Sequence, residues 1–198
     1  MMSRYALISV ADKEGVVEFA SELLQLDFKL LATGGTLNLL KENNISVQSV
    51  SDYTKEKEML SGRVKTLHPS IFAGILFDRN KADHQQQINR ANIHPIDLVA
   101  VNFYPFSEQQ KKHPNSNLLN FIDIGGPSLV RSAAKNYRNC VCVCHNKDYK
   151  FITNSLKTDS LTEEARKNLA YKAFSYVRKY DQCIENYFQQ QVEEKNHN

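Results

Sequence analysis

The chain has 198 residues, 41% of them hydrophobic and 24% charged. That is enough to bury one sizeable core and too short for an enzyme with a large second module, and it excludes wholesale disorder and collagen-like repetition. Lys and Arg outnumber Asp and Glu by 25 to 22, a net charge of +3. This is too mild to argue for a nucleic-acid partner by bulk electrostatics, so each basic residue has to be argued locally. Met1-Met2-Ser3-Arg4-Tyr5 leads into a short apolar run broken by Asp12 and Lys13, so neither a secretory segment nor a membrane span is expected, and a cytoplasmic protein is.

In chain order, apolar runs at residues 5–10, 29–32, 46–50, 98–103 and 140–144 read as strands, each followed by a turn signal or a helical pattern. After the first run, Val16, Phe19, Ala20, Leu23 and Leu24 recur at i, i+3, i+4, i+7 and i+8, the apolar stripe of a helix laid on a sheet. Leu37 and Leu40 begin a second stripe that stops at Asn43-Asn44. Alternating strand and helix predicts βαβ units, hence a doubly wound α/β fold with a parallel sheet covered on both faces. Residues 54–96 lack clear strands and read as an insertion, with a polar helical segment at 84–92. A long helical region is expected over 160–191. It opens on a capping-box pattern, Ser160-Leu161-Thr162-Glu163, and is lined by Leu169, Ala173, Phe174 and Val177. The polar tail 189–198 is expected to fray, and the whole of 1–198 reads as a single domain.

The cysteines are Cys140, Cys142, Cys144 and Cys183. The first three alternate with Val141 and Val143, so they share one face of a strand. The spacing suits buried reduced thiols better than a zinc site with His145, and nothing resembles a disulfide framework.

In an open parallel sheet, ligands bind at the carboxyl ends of the strands, and the polar residues gather there. The first strand ends in Ser9-Val10-Ala11-Asp12-Lys13-Glu14-Gly15, the second in Thr33-Gly34-Gly35-Thr36 and the fourth in Asn102-Phe103-Tyr104-Pro105. The Thr-Gly-Gly-Thr turn can bring free backbone N–H groups, two hydroxyls and a helix N-terminus to one point, as an anion requires. It serves equally as a tight turn with Thr36 capping a helix. In the insertion, alternation sends Arg63 and Lys65 to the same side of an extended segment, which suits either an anionic ligand or a solvated loop. His68, before Pro69, could be an acid–base group or a structural loop residue. Asp123 precedes Gly125-Gly126-Pro127 at the start of a helix on which Arg131 and Lys135 share a face. Spacing alone favours Asp123 as a helix N-terminal charge over a proton-transfer partner of Lys135.

Six blocks in register closely resemble the IMP cyclohydrolase domain of the bifunctional purine-biosynthesis protein. They are Ser9-Val10-x-Asp12-Lys13-x-Gly15, Thr33-Gly34-Gly35-Thr36, Gly62-Arg63-Val64-Lys65-Thr66-Leu67-His68-Pro69, Asn102-x-Tyr104-Pro105-Phe106, Ile122-Asp123-Ile124-Gly125-Gly126 and Arg131-Ser132-Ala133-Ala134-Lys135-Asn136. The resemblance implies a methylglyoxal-synthase-like fold, a five-stranded parallel sheet of order 3-2-1-4-5, here with a C-terminal helical extension. It implies closure of 5-formamidoimidazole-4-carboxamide ribotide to IMP with loss of water, and no metal or organic cofactor. Residue by residue, it puts the substrate phosphate on Asp12, Lys13 and Thr33, Gly34, Gly35 and Thr36, with help from Arg63, Val64 and Thr66. Asn102, Ile124 and Gly125 would meet the base. Lys65 and Tyr104 would stabilise charge on the formyl oxygen, and Asp123 and Lys135 would exchange protons. The implied partner is a small-molecule nucleotide, with no nucleic acid and no membrane, and a homodimer is left open.

Two residues depart from the family pattern: Ala11 stands where Ser is usual, and Phe72 where His is common. The chain ends near where the family's formyltransferase domain would begin, so that domain is expected to be absent from 1–198. Three rival readings stand beside this one. Methylglyoxal synthase has a Gly-Gly-Asp arrangement with no counterpart here. A regulatory nucleotide-binding domain of the same fold would bind without turnover. An RNA-binding module rests only on the +3 charge and nine tyrosines.

Overall fold

The computed structural model describes residues 4–113 and 118–196, with side chains to residue 193. In chain order the elements are β1 (Arg4–Val10), α1 (Val16–Gln25), β2 (Phe28–Ala32), α2 (Gly34–Glu42), β3 (Gln48–Ser49), α3 (Val50–Thr54), α4 (Pro69–Leu76) and α5 (Ala82–Arg90). There follow β4 (Ile96–Asn102), α6 (Phe106–Lys112), a 3-10 turn at Leu118–Phe121, α7 (Gly125–Lys135), β5 (Val141–Val143), α8 (Tyr149–Lys157) and α9 (Glu163–Asn196). The strands pair in parallel in the order β3-β2-β1-β4-β5, as the resemblance implied.

Alternation along each strand divides the core in two. Tyr5, Leu7, Val99, Val101 and the three strand cysteines face a layer made by α3, α4, α7 and α9. Ala6, Ile8, Leu98, Ala100, Val141 and Val143 face α1, α2 and α8. Strands covered on both faces need apolar residues at successive positions, which is why β1 reads as a nearly continuous apolar run. Cys140, Cys142 and Cys144 are buried thiols, and burial pushes the Cys140 thiol up to about 12.

Several local expectations are corrected. The third strand shrinks to two residues because Val50 opens α3, whose N-terminus is capped by Ser49 Oγ accepting from Asp52 N–H at 2.9 Å. The insertion holds α4 as well as α5. Pro69 stands in the first turn of α4, and His68 caps it by accepting from Ser70 N–H through Nδ1 at 3.1 Å, so the imidazole serves the helix end. The long C-terminal helix starts after Thr162, whose Oγ1 accepts from Ala165 N–H at 3.2 Å. Ser160 is no cap, its hydroxyl lying 2.8 Å from that of Thr158. Leu169, Ala173 and Val177 are buried as expected, but Phe174 is 42% exposed. The segment 189–196 continues α9, and residues 197–198 lie outside the described part. Phe72 packs against the core.

Candidate active site

Between β1 and β4 the winding of the sheet reverses, and loops leaving the two strand ends diverge there to leave a crevice. It holds a cavity of about 1050 Å³ at the carboxyl ends of β1, β2 and β4. Lys13, Arg63, Lys65 and Lys112 bring four cations to its lining, against one carboxylate, Asp123. The cavity therefore favours an anionic ligand.

Its end nearest Lys13 and Lys65 is built on the start of α2. Gly34 has φ +55°, a conformation that strongly favours glycine. The first turn of α2 leaves its leading N–H groups without intrahelical partners. Thr33 occupies the N-cap position in extended conformation without using its side chain as a cap, so its hydroxyl is left to the cavity it lines. A Cβ on Gly34 would lie 3.7 Å from Lys65 Nζ, and one on Gly35 would lie 3.5 Å from Lys13 Nζ. Two ammonium groups thus converge on a helix N-terminus, which is itself the positive end of the helix dipole. Lys13 Nζ also donates to Ala11 C=O at 3.4 Å, and two like charges gathered at a helix N-terminus favour a bound anion.

Thr36, expected to offer its hydroxyl to the ligand or to cap the helix, lines the cavity but spends that hydroxyl on backbone. It is 2% exposed, and its Oγ1 accepts from Val10 N–H at 3.0 Å and donates to Val10 C=O at 3.1 Å. Pairing of β1 with β2 ends at Ile8 and Ala32, so Val10 lacks a strand neighbour on that side and Thr36 substitutes for one. Asp12 is absent from the lining. Its carboxylate accepts from Glu14 N–H at 3.0 Å and from Asn146 Nδ2 at 3.1 Å, so it shapes the turn that presents Lys13. Val64 is also outside the lining. Its N–H and C=O pair with Met59 at 3.2 and 2.9 Å in a tight hairpin, which presents Arg63 and Lys65 on either side.

At the other end, Asn102 straps the turn after β1. Its Oδ1 accepts from Ala11 N–H at 2.7 Å and Asp12 N–H at 2.8 Å, and its Nδ2 donates to Asp12 C=O at 3.2 Å. One N–H of that amide remains for a ligand. Ala11 shares this turn, so the family's missing hydroxyl falls at the cavity wall. Tyr104 is 56% exposed at the rim. Asp123 accepts from Gly126 N–H through Oδ1 at 3.0 Å, which places the carboxylate over the start of α7. Ile124 and Gly125 line the wall beside it. A Cβ on Gly125 would come within 2.6 Å of buried Thr66 Oγ1, so only glycine permits this approach.

Lys135 is the clearest correction. It is the last residue of α7, exposed, while Asp123 stands just before the first. At ~1.5 Å per residue the helix separates them by on the order of 15 Å, so the two do not pair within one chain. Among the lining residues that escaped the sequence reading are Lys112, in a segment with no motif, and Asn120, whose Oδ1 accepts from Arg63 Nη2 at 2.6 Å across the mouth. Also missed were Tyr176 and Tyr180 of α9, whose hydroxyls bond the backbone of Phe103 and Asp123. Tyrosines spaced i, i+4 beside the buried stripe of Ala173 and Val177 were the available signal.

Comparison with known proteins agrees with this geometry. Residues 15–128 match the family model described as MGS-like domain, and residues 133–198 match that described as AICARFT/IMPCHase bienzyme. The chain is 51% identical over 192 residues to the bifunctional purine biosynthesis protein PurH of Clostridioides difficile, covering 96% of this chain and 38% of that protein. It is 47% identical over 188 residues to PurH of Buchnera aphidicola, covering 94% and 35%, and 44% identical over 186 residues to PurH of Staphylococcus aureus, covering 92% and 38%. The chain thus spans little more than a third of the length of these relatives. A solved structure, that of ForH, superposes with a TM-score of 0.81 at 29% identity, covering 94% of this chain and 98% of that one. No helix among the described residues is long and apolar enough to cross a membrane.

Proposed function

We propose that this chain, which belongs to the MGS-like domain family, is an IMP cyclohydrolase that closes 5-formamidoimidazole-4-carboxamide ribotide to IMP with loss of water. The observation that carries the reading is the convergence of Lys13 and Lys65 ammonium groups on the Gly34–Gly35 turn, in one cavity with Asp123. The phosphate sits on that turn, held by free N–H groups, Thr33 and the two lysines. The base then extends toward Asn102, Tyr104 and the Asp123–Gly125 wall.

Nucleophile and electrophile belong to one molecule, so holding them in an attack geometry supplies much of the acceleration. The carboxamide nitrogen attacks the formyl carbon, and the formyl oxygen becomes an oxyanion. Lys65 and Tyr104 stabilise that charge, at ~3 kcal/mol per well-placed donor. Asp123 takes a proton from the attacking nitrogen, and Lys65 protonates the oxygen that leaves as water. The carboxamide nitrogen and the formamido nitrogen each give up one proton and the departing oxygen gains two, so no cofactor enters the balance. The chain acts as one cyclohydrolase domain in the cytoplasm. Purified protein should convert synthetic formamido-ribotide to IMP, with turnover lost in Lys65→Met and Asp123→Asn. Saturable IMP binding without turnover would overturn the reading in favour of a regulatory nucleotide domain.

A homodimer belongs to the same proposal. Ile124, Arg131 and Lys135 are exposed along one face of α7. Antiparallel packing of that face on its copy about a two-fold axis would carry one chain's Lys135 to the other's Asp123. Mixing Lys135→Ala with Asp123→Asn protein should then restore up to roughly a quarter of parental turnover through hybrid dimers with one intact site. No recovery in the mixture would remove Lys135 from the reaction.

A further inference from the structure

Helix α9 lies outside the cavity lining, yet two of its side chains reach both loops that form the base end. Tyr176 OH donates to Phe103 C=O at 3.0 Å and accepts from Phe103 N–H at 3.1 Å. Tyr180 OH accepts from Asp123 N–H at 2.8 Å and donates to Phe121 C=O at 3.4 Å. The two rings each pack 4.5 Å from the Phe103 ring, and Phe103 and Tyr180 are both 6% exposed. Residues four apart on a helix keep a fixed separation, so the two hydroxyls hold the Phe103–Tyr104 loop and the Phe121–Asp123 loop at a fixed spacing.

Resting on the cyclohydrolase reading, we infer that Tyr176 and Tyr180 are positioning residues for ring closure, setting the distance across the cavity between Tyr104 and Asp123. They touch no reacting atom. They act through two backbone segments, one leaving β4 and one entering α7, and α9 bonds to both. Packing alone does not require these hydroxyls, since phenylalanine would fill the same apolar space, whereas four backbone groups would lose their partners. Burial pushes the Tyr180 phenol up to about 12 and the Tyr176 phenol in the same direction, so both stay neutral donors wherever the enzyme works. The phosphate end, by contrast, is built from the turn after β1, the start of α2 and the Met59–Val64 hairpin. Loosening the clamp should therefore slow the chemistry without weakening the grip on phosphate.

The test is the double variant Tyr176→Phe/Tyr180→Phe, with each single variant beside it. The expected result is a kcat at least tenfold lower, ribose 5-phosphate affinity within twofold of the parent's, and Phe103 and Asp123 amides exchanging at least tenfold faster. A kcat within twofold of the parent's despite faster exchange would overturn the inference. So would a parallel loss of kcat and ribose 5-phosphate affinity, which would signal general unfolding instead. If the double variant fails to fold, Tyr180→Phe alone decides by the same readouts. If the parent forms no IMP, the cyclohydrolase reading falls separately, and unchanged amide exchange in the Phe variants would then overturn the clamp itself.

Discussion

Replacing Thr36 by Val separates a structural hydroxyl from a ligand-binding one. Val preserves the β-branched shape but removes Oγ1, which serves both backbone groups of Val10 in a site only 2% exposed. Leaving a buried donor or acceptor unpaired costs ~1–3 kcal/mol each. Two such groups, less a small gain from the extra apolar surface, amount to about 2–5 kcal/mol. For a chain of this size that corresponds to roughly 5–15 °C in Tm. Thr36→Ser keeps the hydroxyl and should cost about 1 kcal/mol or less, the value of one methyl group. Urea denaturation of the three proteins measures the difference, and phosphate binding at low temperature, where all remain folded, should agree within threefold. The reasoning is refuted if Val and Ser variants are equally stable, or if Val destroys phosphate binding while stability is unchanged. The second outcome would return Thr36 to the role of direct ligand that the motif suggested.

The remaining predictions concern neighbouring parts of the site and fold. Asn102→Ala releases three hydrogen bonds in the turn that carries Lys13. It should lower stability by about 1–3 kcal/mol and raise KM for the phosphorylated substrate, as steady-state kinetics would show. Gly34→Ala forces a side chain into φ +55° and should cost about 1–2 kcal/mol in a urea titration, with weaker anion binding as the strained turn shifts its N–H groups. The Lys157 ammonium, 2.9 Å from Glu22, holds that carboxyl below its ordinary value of 4.5 chiefly by hydrogen bonding. A depressed folded-state value stabilises the native form above pH 4.5, a contribution lost as pH falls through the depressed value. Both side chains are partly exposed, so the gap in urea midpoint between parent and Glu22→Gln should be under ~1 kcal/mol at pH 7 and should close below pH 4.5.

Much of the fold was legible in the sequence because its determinants are local. Apolar periodicity marked all five strands and the stripe of α1, and the alternation of cysteine with valine separated the two faces of β5, with the thiols on one core and the valines on the other. The Thr33–Thr36 turn marked the anion end because glycine and a helix start act over a few residues. Helices α3, α4, α6 and α8 were missed, since short apolar or mixed segments carry too little periodicity to separate helix from loop. Where each polar side chain lies and what it bonds came from tertiary structure alone. Thr36 and Asn102 looked like ligand groups, but their oxygen atoms are taken by backbone 26 and 91 positions away, partners that exist only once the strand order is set. Tyr180 reaches Asp123 across 57 positions for the same reason. Lys135 sits twelve residues from Asp123 in sequence, and only the helix between them, with its fixed rise, places the two at opposite ends of α7.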